Sequence, residues 1–149
     1  MPVKFYSGEI NNVSSVGAID YENDNGIPEK AFKFKEIIKS ADGIIISFAE
    51  HNSVYTAAFK NIFDWISRIE KIVWYNKPML LLSTSDGSRG AKTVLEIAHK
   101  RISRGNPHSI PTFSLPNFDD NFEINKGITN SKLNKEFKKS LELLILNLS

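Results

Sequence analysis

The order of apolar and polar positions divides the chain into alternating strand-like and helix-like stretches. Residues 43–48 form an apolar run interrupted only by Ser47, with Ile44, Ile45 and Ile46 in succession, and a polar break separates them from a long segment of helical periodicity. Apolar residues without alternation suit a strand covered on both faces, as in a parallel sheet with helices on each side. From about Tyr55, Ala58, Ile62, Trp65, Ile66 and Ile69 fall along one helical stripe, with Phe59 and Phe63 beside it. Lys60, Asp64 and Arg68 stand four apart on the other side, which allows two ion pairs worth a few tenths of a kcal/mol each.

The same pattern recurs along the chain. Pro28 suits the first turn of a helix, and Ala31, Phe34, Ile38 and Ala41 then share a face from which Lys30, Lys33 and Lys35 stay largely outside. Residues 77–83 read as a second buried strand. A following helix places Ala91, Val94, Leu95, Ala98 and Ile102 on one face, leaves His99 off it, and stops near Arg104-Gly105. Ile110 to Phe113 read as a last strand, at an edge because it contains Pro111. Leu133, Phe137, Leu141, Leu144 and Leu148 mark a C-terminal amphipathic helix closing one face of the sheet. The expected architecture is an α/β three-layer sandwich in which strands 43–48 and 79–83 are adjacent, parallel and interior.

Composition narrows the function classes. The chain has 149 residues, the length of one domain, so residues 1–149 are expected to form a single domain. A net charge of +2 is too small to imply nucleic acid, and the lysines of residues 30–39 and 132–139 alternate with apolar residues as solvated helix faces do. Cysteine is absent, which removes disulfides, thiolate catalysis and cysteine-ligated metals. No apolar stretch reaches the roughly 20 residues that span a bilayer and no signal-like segment opens the chain, so a cytoplasmic location is the expectation. His51, His99 and His108 are scattered without metal spacing, and Ser83 to Ser88 lacks a nucleophile elbow, so no catalytic side chain and no metal ligand is assigned.

Parallel sheets bind ligands beyond the carboxyl ends of their strands. Two stretches occupy that position here: Glu50, His51, Asn52 and Ser53 after the first apolar run, and Thr84, Ser85, Asp86, Gly87, Ser88, Arg89 and Gly90 after the second. Read alone, each is either an ordinary strand-to-helix connection or a ligand loop. Glu50-x-Asn52, Tyr55, then Lys60-Asn61-x-x-Asp64-Trp65 and Ser67-Arg68 resemble the second flavin loop and following helix of the NADPH-dependent FMN reductase family, which usually reads P-E-Y-N-G-S-Y-P-G-x-L-K-N-x-x-D-W. The sequence departs from it at Ala49 (usually Pro), His51 (Tyr), Ser53 (Gly) and Thr56 (Pro). Residues 83–91 resemble the family's third flavin loop, S-T-S-x-G-G-R-G-G, with Ser88 and Ala91 in place of glycines. Gly26 to Glu29, Ala41 to Gly43 and the run Phe113 to Phe122 resemble the family as well.

The resemblance implies a flavodoxin-like fold in which residues 50–53 and 84–90 grip the isoalloxazine ring of FMN by backbone contacts. It implies NAD(P)H as co-substrate, a small-molecule electron acceptor such as a flavin, a quinone or a metal oxyanion, and a homodimer or homotetramer. The family normally opens with a strand and a phosphate loop, G-S-x-R-x-x-S-x-N, and no arginine precedes Arg68 here. In the preferred alignment Val3 to Tyr6 is the family's second strand, so the fold is N-terminally incomplete; in the other, Tyr6 to Ser14 is a degraded first strand and phosphate loop with Glu9 near the phosphate. Both make FMN binding weak. The alternative function is a flavin-free flavodoxin-like remnant that serves as an oligomerisation or partner-binding domain.

Overall fold

The structure, a computed structural model, describes residues 25–148, so the expectations on residues 1–24, including both alignments of the opening segment, lie outside the described residues. The described residues divide into two compact units, one formed by residues 25–40 with Ala57–Val73 and the other by Ala41–Thr56 with residues 74–148.

In the first unit α1 (Glu29–Ser40) packs on α2 (Ala57–Ile69). Helix α1 starts directly after Pro28, whose carbonyl accepts the Ala31 N–H at 2.9 Å. Ala31 and Ile38 are buried, as the periodicity requires, but so is Lys35, which the pattern places outside the apolar face. Its Nζ donates to the Val73 carbonyl at 2.8 Å, so the long side chain runs inward to a backbone acceptor. Helix α2 begins at Ala57 rather than at Tyr55, buries Ile62, Phe63, Trp65 and Ile66, and carries the expected Lys60–Asp64 pair at 2.6 Å on its outer side.

The second unit holds a parallel sheet of order β1-β4-β5, formed by Ile44–Phe48, Met79–Thr84 and Thr112–Leu115. The expected adjacency of the first two strands is present, with Ile44 opposite Met79 and Phe48 opposite Ser83. Strand β4 lies between two partners, and Met79, Leu80 and Leu81 are wholly buried. Strand β1 departs from the expectation of burial on both faces: it alternates, and Ile45 remains 51% exposed. An unbroken isoleucine run shows that both faces tolerate apolar residues; it does not supply a neighbour for each. Strand β5 is an edge of the described sheet, and Pro111 precedes it, its carbonyl accepting the Leu81 N–H although it has no N–H to give.

Helix α3 (Lys92–Ile102) and helix α5 (Ser131–Leu146) both pack on β4 and β5. Helix α3 buries Val94, Leu95, Ala98 and Ile102, the face read from the sequence, and the chain leaves it through Gly105 at φ 81°. Helix α5 is capped by Asn130, whose side chain accepts from the N–H groups of Lys132 and Leu133, and its Phe137 ring lies 5.3 Å from Phe113. Of its predicted stripe only Leu144 is fully buried, and Leu148 falls beyond the helix with 41% of its surface exposed. Two short hairpins complete the unit: β2 (Glu50–His51) with β3 (Val54–Tyr55), and β6 (Phe122–Glu123) with β7 (Gly127–Ile128), the latter following the single turn α4 (Phe118–Asn121).

Candidate functional site

Register places the candidate loops. Phe48 pairs with Ser83 and Thr84 with Leu115, so β1, β4 and β5 end at nearly one level, and the residues that follow each strand emerge at the same edge of the sheet.

After β1 the chain makes a two-residue hairpin rather than an open loop. Glu50 pairs with Tyr55 and His51 with Val54, and the tip residues Asn52 and Ser53 have φ 50° and 64°. Positive φ at both tip positions is the type I′ pattern, whose twist matches that of the strands it joins. Asparagine tolerates this region, and position 53 is where the resembling family carries glycine. Tyr55 thereby returns to within 5.9 Å of the Phe48 ring, and its burial raises the phenol pKa against the opposing charge of Arg101.

Glu50 does something no sequence pattern indicated. Its Oε2 accepts the backbone N–H of Val94 at 2.8 Å, in the first turn of α3. The N-cap position of that helix is Ala91, in a left-handed conformation and without a side-chain acceptor. Helix starts leave N–H groups unsatisfied, and a carboxylate there is favoured by the helix dipole as well as by the hydrogen bond. His51, Asn52 and Ser53 are exposed.

The loop after β4 is knotted to the end of β5 and the residues that follow it. Thr84 Oγ1 donates to the Leu115 carbonyl at 2.8 Å, and the hydroxyls of Ser83 and Ser114 both donate to the Gly90 carbonyl at 2.8 Å. The Gly87 carbonyl accepts the N–H groups of Gly90 and Asn117, and the Ser85 carbonyl accepts that of Phe118, each at 3.1 Å. Gly90 sits at φ 57°, and a Cβ there would meet the Ser114 hydroxyl, Pro116 N at 2.8 Å and Leu115 C at 2.9 Å. The carbonyls of Ser85, Gly87, Arg89 and Gly90 are therefore spent within the structure. The N–H groups of Asp86, Gly87, Ser88 and Arg89, four in succession and all in exposed residues, donate to no acceptor among the described residues.

Ser114 to Phe118 belong to this site although the sequence reading assigned no role to them. The available signal was Pro116-Asn117, since Asn117 takes φ 46° and turns the chain back across the loop.

The profile of the NADPH-dependent FMN reductase family matches residues 9–119, which span every loop just described. The chain belongs to this family. Among curated proteins it is 39% identical over 83 residues to a 2-hydroxy-1,4-benzoquinone reductase of Burkholderia sp, covering 55% of this chain and 43% of that one. It is 32% identical over 89 residues to a quinone reductase of Escherichia coli (strain K12), covering 56% and 47%. The chain thus spans a little under half the length of these relatives. Among solved structures it is similar to FerB, a flavoenzyme NAD(P)H:(acceptor) oxidoreductase from Paracoccus denitrificans, with a TM-score of 0.71 at 20% identity over 94% of this chain and 77% of that one. The family member is accordingly α/β with a flavodoxin-like parallel sheet, and no helix among its described residues is long and apolar enough to cross a membrane.

The donor set fits a flavin. The edge of an isoalloxazine ring offers two carbonyl oxygens and two ring nitrogens as acceptors, with one N–H donor between the carbonyls, and the loop offers a row of unspent N–H donors. A Cβ at Gly87 would meet only Ser85 Oγ, at 3.8 Å, so the backbone there is open to close approach.

Proposed function

We propose that this chain is a single flavodoxin-like domain that binds FMN through residues 84–90, with residues 50–53 beside them, and serves NAD(P)H-dependent reduction of a small quinone-like acceptor. The observation that carries the reading is the row of four exposed, unspent N–H groups at the carboxyl edge of the sheet, inside the segment matched by the family. Bound FMN would supply the redox chemistry, taking hydride from NAD(P)H and passing electrons on. The protein's part is positional. Asp86 to Arg89 offer N–H donors, the Ser83 and Ser114 hydroxyls hold the Gly90 carbonyl while that of Thr84 ties the loop to Leu115, and the two-residue hairpin holds His51, Asn52 and Ser53 at the same edge. The quinone substrates of the Burkholderia and Escherichia relatives support an acceptor of that chemistry.

Titration of FMN fluorescence with the purified chain tests this reading. Saturable quenching is expected, and NADPH should bleach the visible absorbance of the bound flavin in the absence of oxygen. Ser88→Pro, which deletes one donor, should weaken FMN binding by about 0.5–1.5 kcal/mol, roughly two- to tenfold, with circular dichroism unchanged. No quenching at any concentration would favour the flavin-free alternative. We further propose a cytoplasmic homodimer or homotetramer, supported by the exposed apolar residues Ile45, Ile72, Ile145 and Leu146; sedimentation showing only monomer at micromolar concentration would refute it.

A further inference from the structure

We propose that Glu50 is a positioning residue that ties the hairpin after β1 to the loop after β4 by capping helix α3, and is not itself a ligand for the flavin. The relevance to FMN rests on the proposed function; the tie itself does not. Three observations converge. The α3 N-terminus has no acceptor of its own, because Ala91 occupies the N-cap position. Glu50, 44 residues earlier in the chain, supplies one at 2.8 Å to the Val94 N–H. The hairpin pairing of Glu50 with Tyr55 across a two-residue turn fixes the backbone from which the carboxylate reaches.

The consequence travels along a short covalent path. Val94 is four residues beyond Gly90, whose carbonyl is held by two hydroxyls, and the Lys92 N–H donates to the Arg89 carbonyl at 3.1 Å. The end of the donor row is therefore anchored on both sides of Gly90, by β5 through Ser114 and by the hairpin through Glu50. Release of Glu50 frees the first turn of α3 and, with it, the register of Asp86 to Arg89.

Residue-resolved hydrogen exchange on the ligand-free chain, combined with FMN titration, tests the assignment. Glu50→Ala removes the acceptor, and Glu50→Gln keeps an oxygen that can accept from Val94. With a cap worth about fivefold in opening equilibrium, the alanine variant should exchange faster by about that factor at Val94, with Lys92 and Gly90 following, and should bind FMN more weakly by a similar factor. The glutamine variant should stay close to the wild type in both measurements. Unchanged exchange at Val94 in Glu50→Ala overturns the tie. Full FMN loss in Glu50→Gln with exchange still protected also overturns the proposal, since the charge would then act on the ligand directly. If the wild type binds no FMN, the flavin reading fails while the exchange comparison still decides the tie. Should Glu50→Ala fail to fold, Glu50→Asp, one methylene shorter, carries the same comparison.

Discussion

Two of the residues at which this sequence departs from its family's glycines sit at positive φ: Ser53 at 64° and Ala91 at 56°. Ser88, a third departure, does not. The first two carry conformational strain and the third is free of it. A left-handed non-glycine residue costs about 1–2 kcal/mol, while glycine loses about 0.5–1 kcal/mol more backbone entropy on folding, so Ser53→Gly should gain about 0.5 kcal/mol in urea denaturation. Gly90→Ala has the opposite sign. With backbone atoms under 3 Å from the new Cβ and φ at 57°, a loss of about 2 kcal/mol or more is expected, together with weaker FMN binding, because the Ser83 and Ser114 hydroxyls would lose their shared acceptor. Lys35 is the third case. Burial lowers its pKa, against the opposing pull of Glu70 and Glu36, so over the interval between the depressed folded value and the ordinary value of 10.5 the unfolded chain binds more protons than the folded one. Stability from this group therefore rises with pH through that interval and is flat below it. Lys35→Met should abolish the rise when unfolding is followed at successive alkaline pH values. Neither the buried lysine nor the left-handed serine was visible in the apolar pattern, which records which side chains avoid water and not which backbone atom a lysine can reach.

At the scale of elements the periodicities were informative about faces and less so about ends. Helix α3 buries the residues read from its pattern, whereas α2 begins at Ala57 because Val54 and Tyr55 are drawn into the hairpin with His51 and Glu50. Phe63 lies beside the stripe of α2 and not on it. It is only 6% exposed and stacks on Phe59 with ring centroids 5.7 Å apart. Phe63→Glu is consequently a folding mutation, expected to cost at least the 3–5 kcal/mol or so of removing a buried phenylalanine, and loss of cooperative thermal unfolding should precede any change in association. Asn130 is a milder lever. Its carboxamide oxygen accepts two N–H groups at the start of α5, so Asn130→Ala should lower stability by about 1 kcal/mol without altering the loops after β1 and β4.

For the molecule as a whole, the parallel α/β arrangement was legible because β1 and β4 are short apolar runs bounded by turn formers and separated by one helical segment. The loops were legible as positions, at strand ends, and as motifs. Their interlocking was not: the Glu50 carboxylate meeting Val94, and Ser114 meeting Gly90, join residues far apart in the chain with no periodicity to announce them. Burial of β1 was over-read for the same reason, since exposure is decided by which elements come to lie alongside a strand.

The sheet order has a consequence in time. Ile44 faces Met79, and Leu81 faces Thr112, so β1 and β4 each wait for a partner more than thirty residues downstream. Non-local parallel pairing is slow to form, and refolding of the chain in stopped-flow mixing should fall in the millisecond-to-second range. During synthesis at about 5–20 residues per second, the isoleucine run of β1 leaves the ribosome roughly two to seven seconds before its partner β4 does. For that interval the isoleucine run is without the one strand that pairs with it among the described residues, so its apolar side chains are exposed until β4 arrives.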